Sequence, residues 1–288
     1  MKAGVVHARG IDFHTLEAGD GPLVLCLHGF PDLARSFCHQ LPALAAAGFR
    51  AVAPFMRGYA PTTVPPDGCY QSAALAEDAV ALIEALGYED AVVFGHDWGA
   101  VAGYGAAIVA PERVRKLVTA AVPHAAQVMT AFTTNYAQLK RSWYMFFFQS
   151  PLAEVAIAHD DYAFIDRLWR DWSPGWSYPP DEMAALKDTF RRPGVLEAAL
   201  GYYRAMFNPA LQDPTLAISQ GRMMELVPVP TMCIHGADDG CIGAELFEGM
   251  ADLFPRGLRV EVIPGAGHFV HRERPETVNR LVLDFLRS

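Results

Sequence analysis

The sequence predicts an α/β fold, in which helices cover a mostly parallel β-sheet and a helical segment interrupts the sheet. Short apolar runs rich in β-branched residues alternate with helix-like stretches, which is typical of successive βαβ units. This alternation stops after Pro123 and resumes only at Val229. A chain of 288 residues is long enough for one large core with a satellite domain.

The predicted strands fall into two groups. Two short segments come first, at residues 4–6 and 12–16. Six more apolar runs are expected to form buried strands: residues 22–29, 49–54, 90–97, 114–122, 229–236 and 258–268. Helices are expected between them, including one over residues 71–87 and a last one near 275–286.

The segment between the fourth and fifth of these runs is rich in Trp, Tyr and Phe and predicts several short helices. We therefore expect a first core part at residues 1–125, a helical cap at 126–224 and a second core part at 225–288. Trp169, Trp172 and Trp176 recur at helical spacing within the cap, which favours a packed apolar stripe.

Composition excludes several functions. A net charge of −9 and a pI near 5.5 provide no basic face for nucleic acid or an anionic membrane. No leader-like or long apolar segment is visible, so we expect a cytoplasmic protein. Five cysteines without a C-x-x-C pair indicate reduced thiols. The sequence suggests no metal and no cofactor, and it leaves the oligomeric state open, a homodimer included.

The stretch GHDWG, residues 95–99, places Asp97 at a turn between a predicted strand and a predicted helix. The pattern G-x-X-x-G is typical of a nucleophile elbow, where small flanking residues permit a strained turn that projects the central side chain. An aspartate that only caps the following helix is the alternative. The elbow predicts that Asp97 is a nucleophile.

Two further residues follow predicted strands and complete a possible triad. His268 comes after the last strand, and Asp239 lies three residues beyond Gly236 at the end of the preceding one. The order nucleophile, acid, histidine is the one that this elbow fold uses. Asp238 is an alternative for the acid.

Five short motifs carry a family resemblance. They are HGFPD (residues 28–32), RGYA (57–60), GHDWGA (95–100), HGADD (235–239) and GHF (267–269). Together they resemble the epoxide hydrolases of the α/β-hydrolase superfamily, over essentially the whole chain. The resemblance implies an α/β-hydrolase core with a cap, and a cis peptide bond between Phe30 and Pro31.

The resemblance extends into the cap. YMFFFQSP (residues 144–151) and GYYRAMFN (201–208) are similar to the segments that carry the family's two cap tyrosines. This implies that Tyr144 and Tyr203 serve that role, with Tyr202 as the alternative to Tyr203. The chain departs from the usual family pattern at four positions, which bears on substrate range: Phe37, Phe55, Met56 and Ala60.

The residue types determine which chemistry is expected. Aspartate has a reference pKa of about 3.9, so it is a carboxylate at neutral pH without help from a base. Its attack on an sp³ carbon gives a stable ester, which His268, oriented by Asp239, would help water to cleave. The backbone N–H groups of Phe30 and Trp98 are expected to form the oxyanion hole.

The leaving group distinguishes two enzymatic hypotheses, an epoxide hydrolase and a haloalkane or haloacid dehalogenase that uses the same nucleophile. Opening an epoxide produces a basic alkoxide, to which the hydroxyls of Tyr144 and Tyr203 can donate. Halide release would use N–H donors, and the resembling haloalkane dehalogenases usually carry Asn where this chain has Phe30. Fluoroacetate dehalogenases usually carry Arg where it has Trp98. A small apolar epoxide and water are therefore the expected partners.

A non-catalytic ligand-binding protein is the remaining alternative, because a fold does not determine a function.

The aromatic residues of the cap indicate where the substrate pocket lies. Three consecutive phenylalanines cannot share one helix face, so at least one is expected to leave the cap's own core. We expect the substrate pocket to include Pro31, Phe146, Phe147 and Phe148.

Overall fold

The computed structural model describes residues 1–65 and 67–288. In that part of the chain, eight strands form one sheet in the order β1-β2-β4-β3-β5-β6-β7-β8. Their bounds are β1 (Lys2–Ala8), β2 (Ile11–Ala18), β3 (Leu23–Leu27), β4 (Arg50–Pro54), β5 (Ala91–His96), β6 (Val114–Ala120), β7 (Thr231–Gly236) and β8 (Leu258–Ile263). β2 pairs antiparallel with both β1 and β4, and all other neighbouring strands pair parallel. The predicted mostly parallel sheet is therefore confirmed.

The α-helices follow β3, β4 and β5 singly, β6 as a long run and β8 as a pair, and none of those described lies between β7 and β8, where one was expected. Their bounds are α1 (Gln40–Ala46), α2 (Ser72–Ala85), α3 (Trp98–Val109), α4 (Ala125–Thr134), α5 (Tyr136–Arg141), α6 (Trp143–Phe147), α7 (Ala153–Trp172), α8 (Pro180–Phe190), α9 (Val195–Phe207), α10 (Ala217–Gly221), α11 (Val270–Glu273) and α12 (Pro275–Arg287). Helices α4 to α10 all lie between β6 and β7. None of the described helices is long and apolar enough to span a membrane.

Helices cover both faces of the central strands. Every residue of β3, β5 and β7 is buried, as expected for parallel strands with helices on either side. On one face α2 and α3 pack together, and on the other α1 packs against α12. Helix α12 buries Val278, Leu281, Val282 and Phe285, an i, i+3, i+4, i+7 stripe.

The cap helices lie where the sequence places the insertion. Helix α4 begins at Ala125 and α10 ends at Gly221, close to the predicted limits of 126 and 224. Helix α7 is interrupted by non-helical backbone from His159 to Tyr162. The division of the chain into core and cap domains at those limits stays a proposal.

Parallel pairing determines where the functional loops meet. Strands β5, β6, β7 and β8 run in the same direction, so their carboxyl ends share one edge of the sheet. Asp97 directly follows β5, Asp239 follows β7, and His268 follows β8. The cap helices leave the sheet at the same edge, after β6, which brings them over these three side chains.

Candidate active site

Asp97 occupies a strained turn between β5 and α3. Its φ of 52° and ψ of −119° are unusual for a residue with a side chain, and such strain costs about 1–3 kcal/mol. A Cβ at Gly95 would overlap the carbonyl of Gly99, and one at Gly99 would overlap the carbonyl of Leu27. The carboxylate makes no capping bond to α3. The geometry is therefore that of an elbow, and the strain serves to project Asp97.

The Asp97 carboxylate is held on one side by the loop after β3. The Phe30 backbone N–H donates to Asp97 Oδ1 at 2.7 Å, and the Phe30–Pro31 peptide is cis, as the resemblance implies. A side chain at Gly29 would overlap Asp97 and lie 2.6 Å from the backbone nitrogen of Trp98. The loop of Phe30 and the start of α3 therefore meet around Oδ1.

Asp239 and His268 complete the cluster around Asp97. His268 Nδ1 donates to Asp239 Oδ2 at 2.9 Å, and His268 Nε2 lies 3.6 Å from Asp97 Oδ2. Asp239 Oδ1 accepts the backbone N–H groups of Cys241 (2.7 Å) and Ile242 (2.9 Å). Asp238 is exposed. Of the two candidate acids, the structure brings Asp239 to the histidine.

His268 is a buried imidazole between two carboxylates. Burial is the largest single effect and opposes its protonation, but the charge of Asp239, Cys241, the hydrogen bond to Asp239 and the nearby Asp97 carboxylate together outweigh it. The pKa of His268 therefore lies well above its ordinary 6.5. Within the described residues Nε2 has no hydrogen-bond partner, so it is free to meet a water molecule.

Other buried histidines near Asp97 are neutral. Burial lowers the pKa of His28 to about 4 and that of His96 to about 3. His28 Nε2 accepts the backbone N–H of Met56, and His96 Nε2 donates to the carbonyl of His268. They support the loops and hold no charge at neutral pH.

A polar network beneath the site was missed by the sequence analysis. Ser36 Oγ donates to Asp32 and lies 2.6 Å from His271 Nε2. Burial raises the pKa of Asp32 to about 6. These residues are close to His96, and the motif HGFPD was the only signal that could have pointed to Asp32.

The two predicted cap tyrosines lie opposite Asp97. Tyr144 comes from α6 and Tyr203 from α9, both are buried, and their ring centroids are 5.7 Å apart. Tyr144 Oη lies 3.3 Å from the Cys241 thiol, whereas Tyr203 Oη has no partner among the described residues. Burial raises the pKa of both hydroxyls well above 10, so both remain protonated donors.

The neighbouring tyrosine has a different environment. Tyr202 Oη donates to the carbonyl of Arg57 at 2.6 Å. Arg57 itself forms a buried ion pair with Asp78, at 2.7 and 2.8 Å. The Tyr202 hydroxyl therefore links α9 to the core, while that of Tyr203 faces the cavity.

A cavity of about 210 Å³ opens from Asp97 between core and cap. Its polar end carries Asp97, Tyr144 and Tyr203. The rest of its wall is mostly apolar and includes five methionines that the sequence analysis did not single out: Met129, Met145, Met206, Met223 and Met224. The cavity fits an apolar molecule with one polar reacting end.

None of the four predicted pocket residues is among the residues that line this cavity. Phe148 is buried and packs against Phe30 and Tyr203, at centroid distances of 5.4 and 5.1 Å. Phe146 is 43% exposed and Phe147 is partly buried at the cap surface. The Pro31 carbonyl accepts a hydrogen bond from the Trp169 indole at 2.8 Å. Phe148 therefore supports the cavity wall from behind.

Comparison with known proteins identifies the class of this chain. A family model described as alpha/beta hydrolase fold matches residues 22–275. This match covers most of the sequence and agrees with the sheet order and the Asp97 elbow. The chain belongs to the α/β-hydrolase family.

Within this family, the chain is similar to epoxide hydrolases. It is 30% identical to Epoxide hydrolase A of Mycobacterium tuberculosis, over 98% of this chain and 96% of that protein. It is also 30% identical to Epoxide hydrolase 4 of Homo sapiens, over 97% and 76%. The crystal structure of Bacillus megaterium epoxide hydrolase with an inhibitor superposes with a TM-score of 0.87 at 28% identity, covering 99% and 100% of the two chains. The predicted resemblance is confirmed.

Proposed function

We propose that this protein is an epoxide hydrolase that converts apolar epoxides to vicinal diols through a covalent ester on Asp97. The observation that carries the proposal is one cavity in which an aspartate at a nucleophile elbow faces two buried tyrosine hydroxyls. The apolar remainder of the cavity supports an apolar substrate.

In the first step, Asp97 Oδ2 attacks an epoxide carbon. The ring C–O bond breaks, its electron pair moves to the ring oxygen, and that oxygen takes a proton from Tyr144 or Tyr203. Tyr203 is well suited to this donation because its hydroxyl has no competing partner in the described part of the chain. Oδ1 meanwhile keeps its hydrogen bond from Phe30 N–H and becomes the ester carbonyl oxygen.

In the second step, water attacks the carbonyl carbon of the ester while His268 Nε2 takes a proton from the water. Negative charge develops on Oδ1, where the N–H groups of Phe30 and Trp98 would stabilise it; such donors are worth about 3–4 kcal/mol each. The hydroxyl proton of the tetrahedral intermediate passes to the departing oxygen as the C–O bond breaks. The diol leaves, Asp97 is again a carboxylate, and His268 is an imidazolium.

The raised pKa of His268 keeps the imidazole protonated, and therefore unable to act as a base, before the first step. In the free enzyme the imidazolium is favoured by the nearby Asp97 and Asp239 carboxylates. Ester formation removes the negative charge of Asp97, one of the groups that raise the pKa of His268, and this change favours release of the proton. Through solvent, that proton restores the hydroxyl of the tyrosine that donated in the first step. His268 therefore becomes a base only after the ester exists.

An isotope experiment tests the covalent route. With enzyme in excess over styrene oxide in ¹⁸O-labelled water, the first diol should carry an unlabelled oxygen from Asp97, and label should appear in the peptide that contains Asp97. Asp97→Ala should form neither adduct nor diol. A labelled first diol with an unlabelled peptide would show direct attack by water and would exclude the ester.

A substrate comparison tests the reaction type. Styrene oxide and a haloalkane of similar size are incubated with the enzyme, and diol and halide are measured. Diol without halide is expected, because hydroxyl donors from Tyr144 and Tyr203 face Asp97. Halide release without diol would indicate a dehalogenase, and the absence of both products would favour a non-catalytic binding protein.

Location and assembly remain part of the proposal. We keep the cytoplasmic location and the possible homodimer as predictions from the sequence. Light scattering on the purified protein would measure the oligomeric state, and a mass of one chain would exclude the dimer.

A further inference from the structure

The carboxyl end of cap helix α7 contacts both loops that carry the proposed base and its acid. Trp172 is the last residue of α7, where carbonyl groups have no partner within the helix. Its carbonyl oxygen accepts the backbone N–H of Gly240 at 3.1 Å and that of His268 at 3.0 Å. One cap carbonyl thus joins the loop of Asp239 to the loop of His268.

The next residue extends this contact on either side of His268. Ser173 Oγ donates to Glu273 Oε1 at 2.6 Å and accepts the backbone N–H of Phe269 at 3.3 Å. Glu273 Oε2 accepts the backbone N–H of Gly267 at 2.8 Å. Three consecutive N–H groups, those of residues 267, 268 and 269, are therefore held by Glu273, Trp172 and Ser173.

The arrangement is buried and closely packed. Ser173 is 2% exposed and Glu273 is 8% exposed. A Cβ at Gly267 would lie 2.5 Å from the Cα of Ser173 and 2.6 Å from the carbonyl oxygen of Trp172. The Trp172 ring also packs edge-on against the His268 imidazole, at a centroid distance of 5.1 Å. The backbone on both sides of His268 therefore has little freedom to shift while α7 is in place.

We propose that Ser173 and Glu273, together with the Trp172 carbonyl, are positioning residues that hold His268 in place for the ester-hydrolysis step. That step then depends on α7 of the cap being packed against the loops of Asp239 and His268. This inference rests on the proposed function, because it needs an ester on Asp97. We call the side-chain pair Ser173 and Glu273 the histidine clamp.

The clamp should affect only one of the two chemical steps. Attack on the epoxide uses Asp97 and the tyrosines, none of which bonds to the clamp in the described residues. Ester hydrolysis uses the Nε2 atom of His268, whose direction follows from the backbone at residues 267–269. A loosened clamp should therefore slow hydrolysis and leave ester formation nearly unchanged.

Single-turnover kinetics with styrene oxide and intact-protein mass spectrometry measure both steps. For Ser173→Ala we expect ester formation within about threefold of wild type and hydrolysis slowed by about tenfold, the effect of one lost hydrogen bond. The alkyl-enzyme should accumulate. Ser173→Thr keeps a hydroxyl and should recover most of the hydrolysis rate.

Ser150→Ala is the matched control. Ser150 is also in the cap, and its hydroxyl also accepts a backbone N–H, that of Leu152 at 3.2 Å. It has no hydrogen bond to the loops of Asp239 or His268 among the described residues, so both rates should equal those of wild type. If Ser173→Ala does not fold, as judged by circular dichroism, the rates of ester formation and ester hydrolysis are measured for Glu273→Gln instead.

The outcomes distinguish a failure of the histidine clamp from a failure of the proposed function. Equal slowing of both steps would overturn the clamp as a positioning device, because it would indicate a general structural defect. Unchanged hydrolysis would overturn it as well. If wild type turns over styrene oxide without forming an alkyl-enzyme, or does not turn it over at all, the proposed function fails, and the inference fails with it.

Discussion

The core side and the cap side of the cavity differ in how their polar groups are held. On the core side, Asp239 uses both carboxylate oxygens, and Asp97 Oδ1 accepts the N–H of Phe30. On the cap side, Tyr203 Oη has no partner in the described chain, and Tyr144 contacts only a weak one, the Cys241 thiol. The core holds its groups rigidly, whereas the cap leaves hydroxyls available to a ligand.

The core and cap walls of the cavity also differ in how far they can adapt to a ligand. The core contributes a strained elbow packed against glycines, which tolerates no extra carbon atom. The cap side contributes much of the methionine-rich wall, and unbranched thioether side chains adapt to differently shaped apolar partners. This contrast suggests that the core determines the reaction and that the cap determines which epoxide reacts.

The largest effect should come from removing both cap hydroxyls. The double variant Tyr144→Phe with Tyr203→Phe should lower kcat/KM for styrene oxide by roughly 10⁴-fold, because general acids contribute about 10²–10⁴ in rate. Each single variant should keep some activity. Tyr202→Phe is the control, since its hydroxyl bonds Arg57 away from the cavity. Near-normal turnover by the double variant would remove the reason to prefer an epoxide over a halide.

A smaller loss of turnover is expected on the core side. His268→Gln should still form the ester but hydrolyse it roughly 10³-fold more slowly, the range for loss of a general base. Intact-protein mass spectrometry should show one added substrate mass. His124→Gln, another buried histidine, should leave both steps unchanged. A His268→Gln protein that binds substrate without forming an adduct would place the histidine in the first step.

The cap's role in selection predicts a change in preference rather than in chemistry. Met223 is buried at the cavity wall, and Met223→Ala should shift the ratio of kcat/KM between a bulky and a small epoxide by about tenfold in favour of the bulky one. Met183→Ala removes a buried cap methionine away from this cavity and should shift only the melting temperature. An unchanged ratio for Met223→Ala would contradict selection by this wall.

The smallest effect concerns pH and stability. The pKa of His268 is raised in the folded protein, so its contribution to stability is complete below the unfolded value near 6.5 and is lost as pH rises through the folded value. The difference in urea midpoint between wild type and His268→Gln should therefore shrink above pH 7. A difference that grows with pH would mean that the carboxylates do not hold a proton on His268.

Several features of the molecule could be predicted from local sequence. The strands were recognisable because central parallel strands are continuous apolar runs, and the cap because that alternation stops after Pro123. Asp97 could be singled out because the elbow needs glycines on both sides. Asp239 and His268 followed from their positions just beyond strands, since parallel strands bring their carboxyl ends together.

Only the tertiary structure decided matters that depend on contacts between distant segments. Asp239 rather than Asp238 meets His268, and Tyr203 rather than Tyr202 faces the cavity, because each choice depends on which way a side chain points between packed layers. The methionine wall, the position of Phe148 against Tyr203, and the hydrogen bonds of Ser173 to a loop almost 100 residues away in the chain have no local signal. Periodicity reports the face on which a residue lies, whereas the partner across that face is determined by the folded chain as a whole.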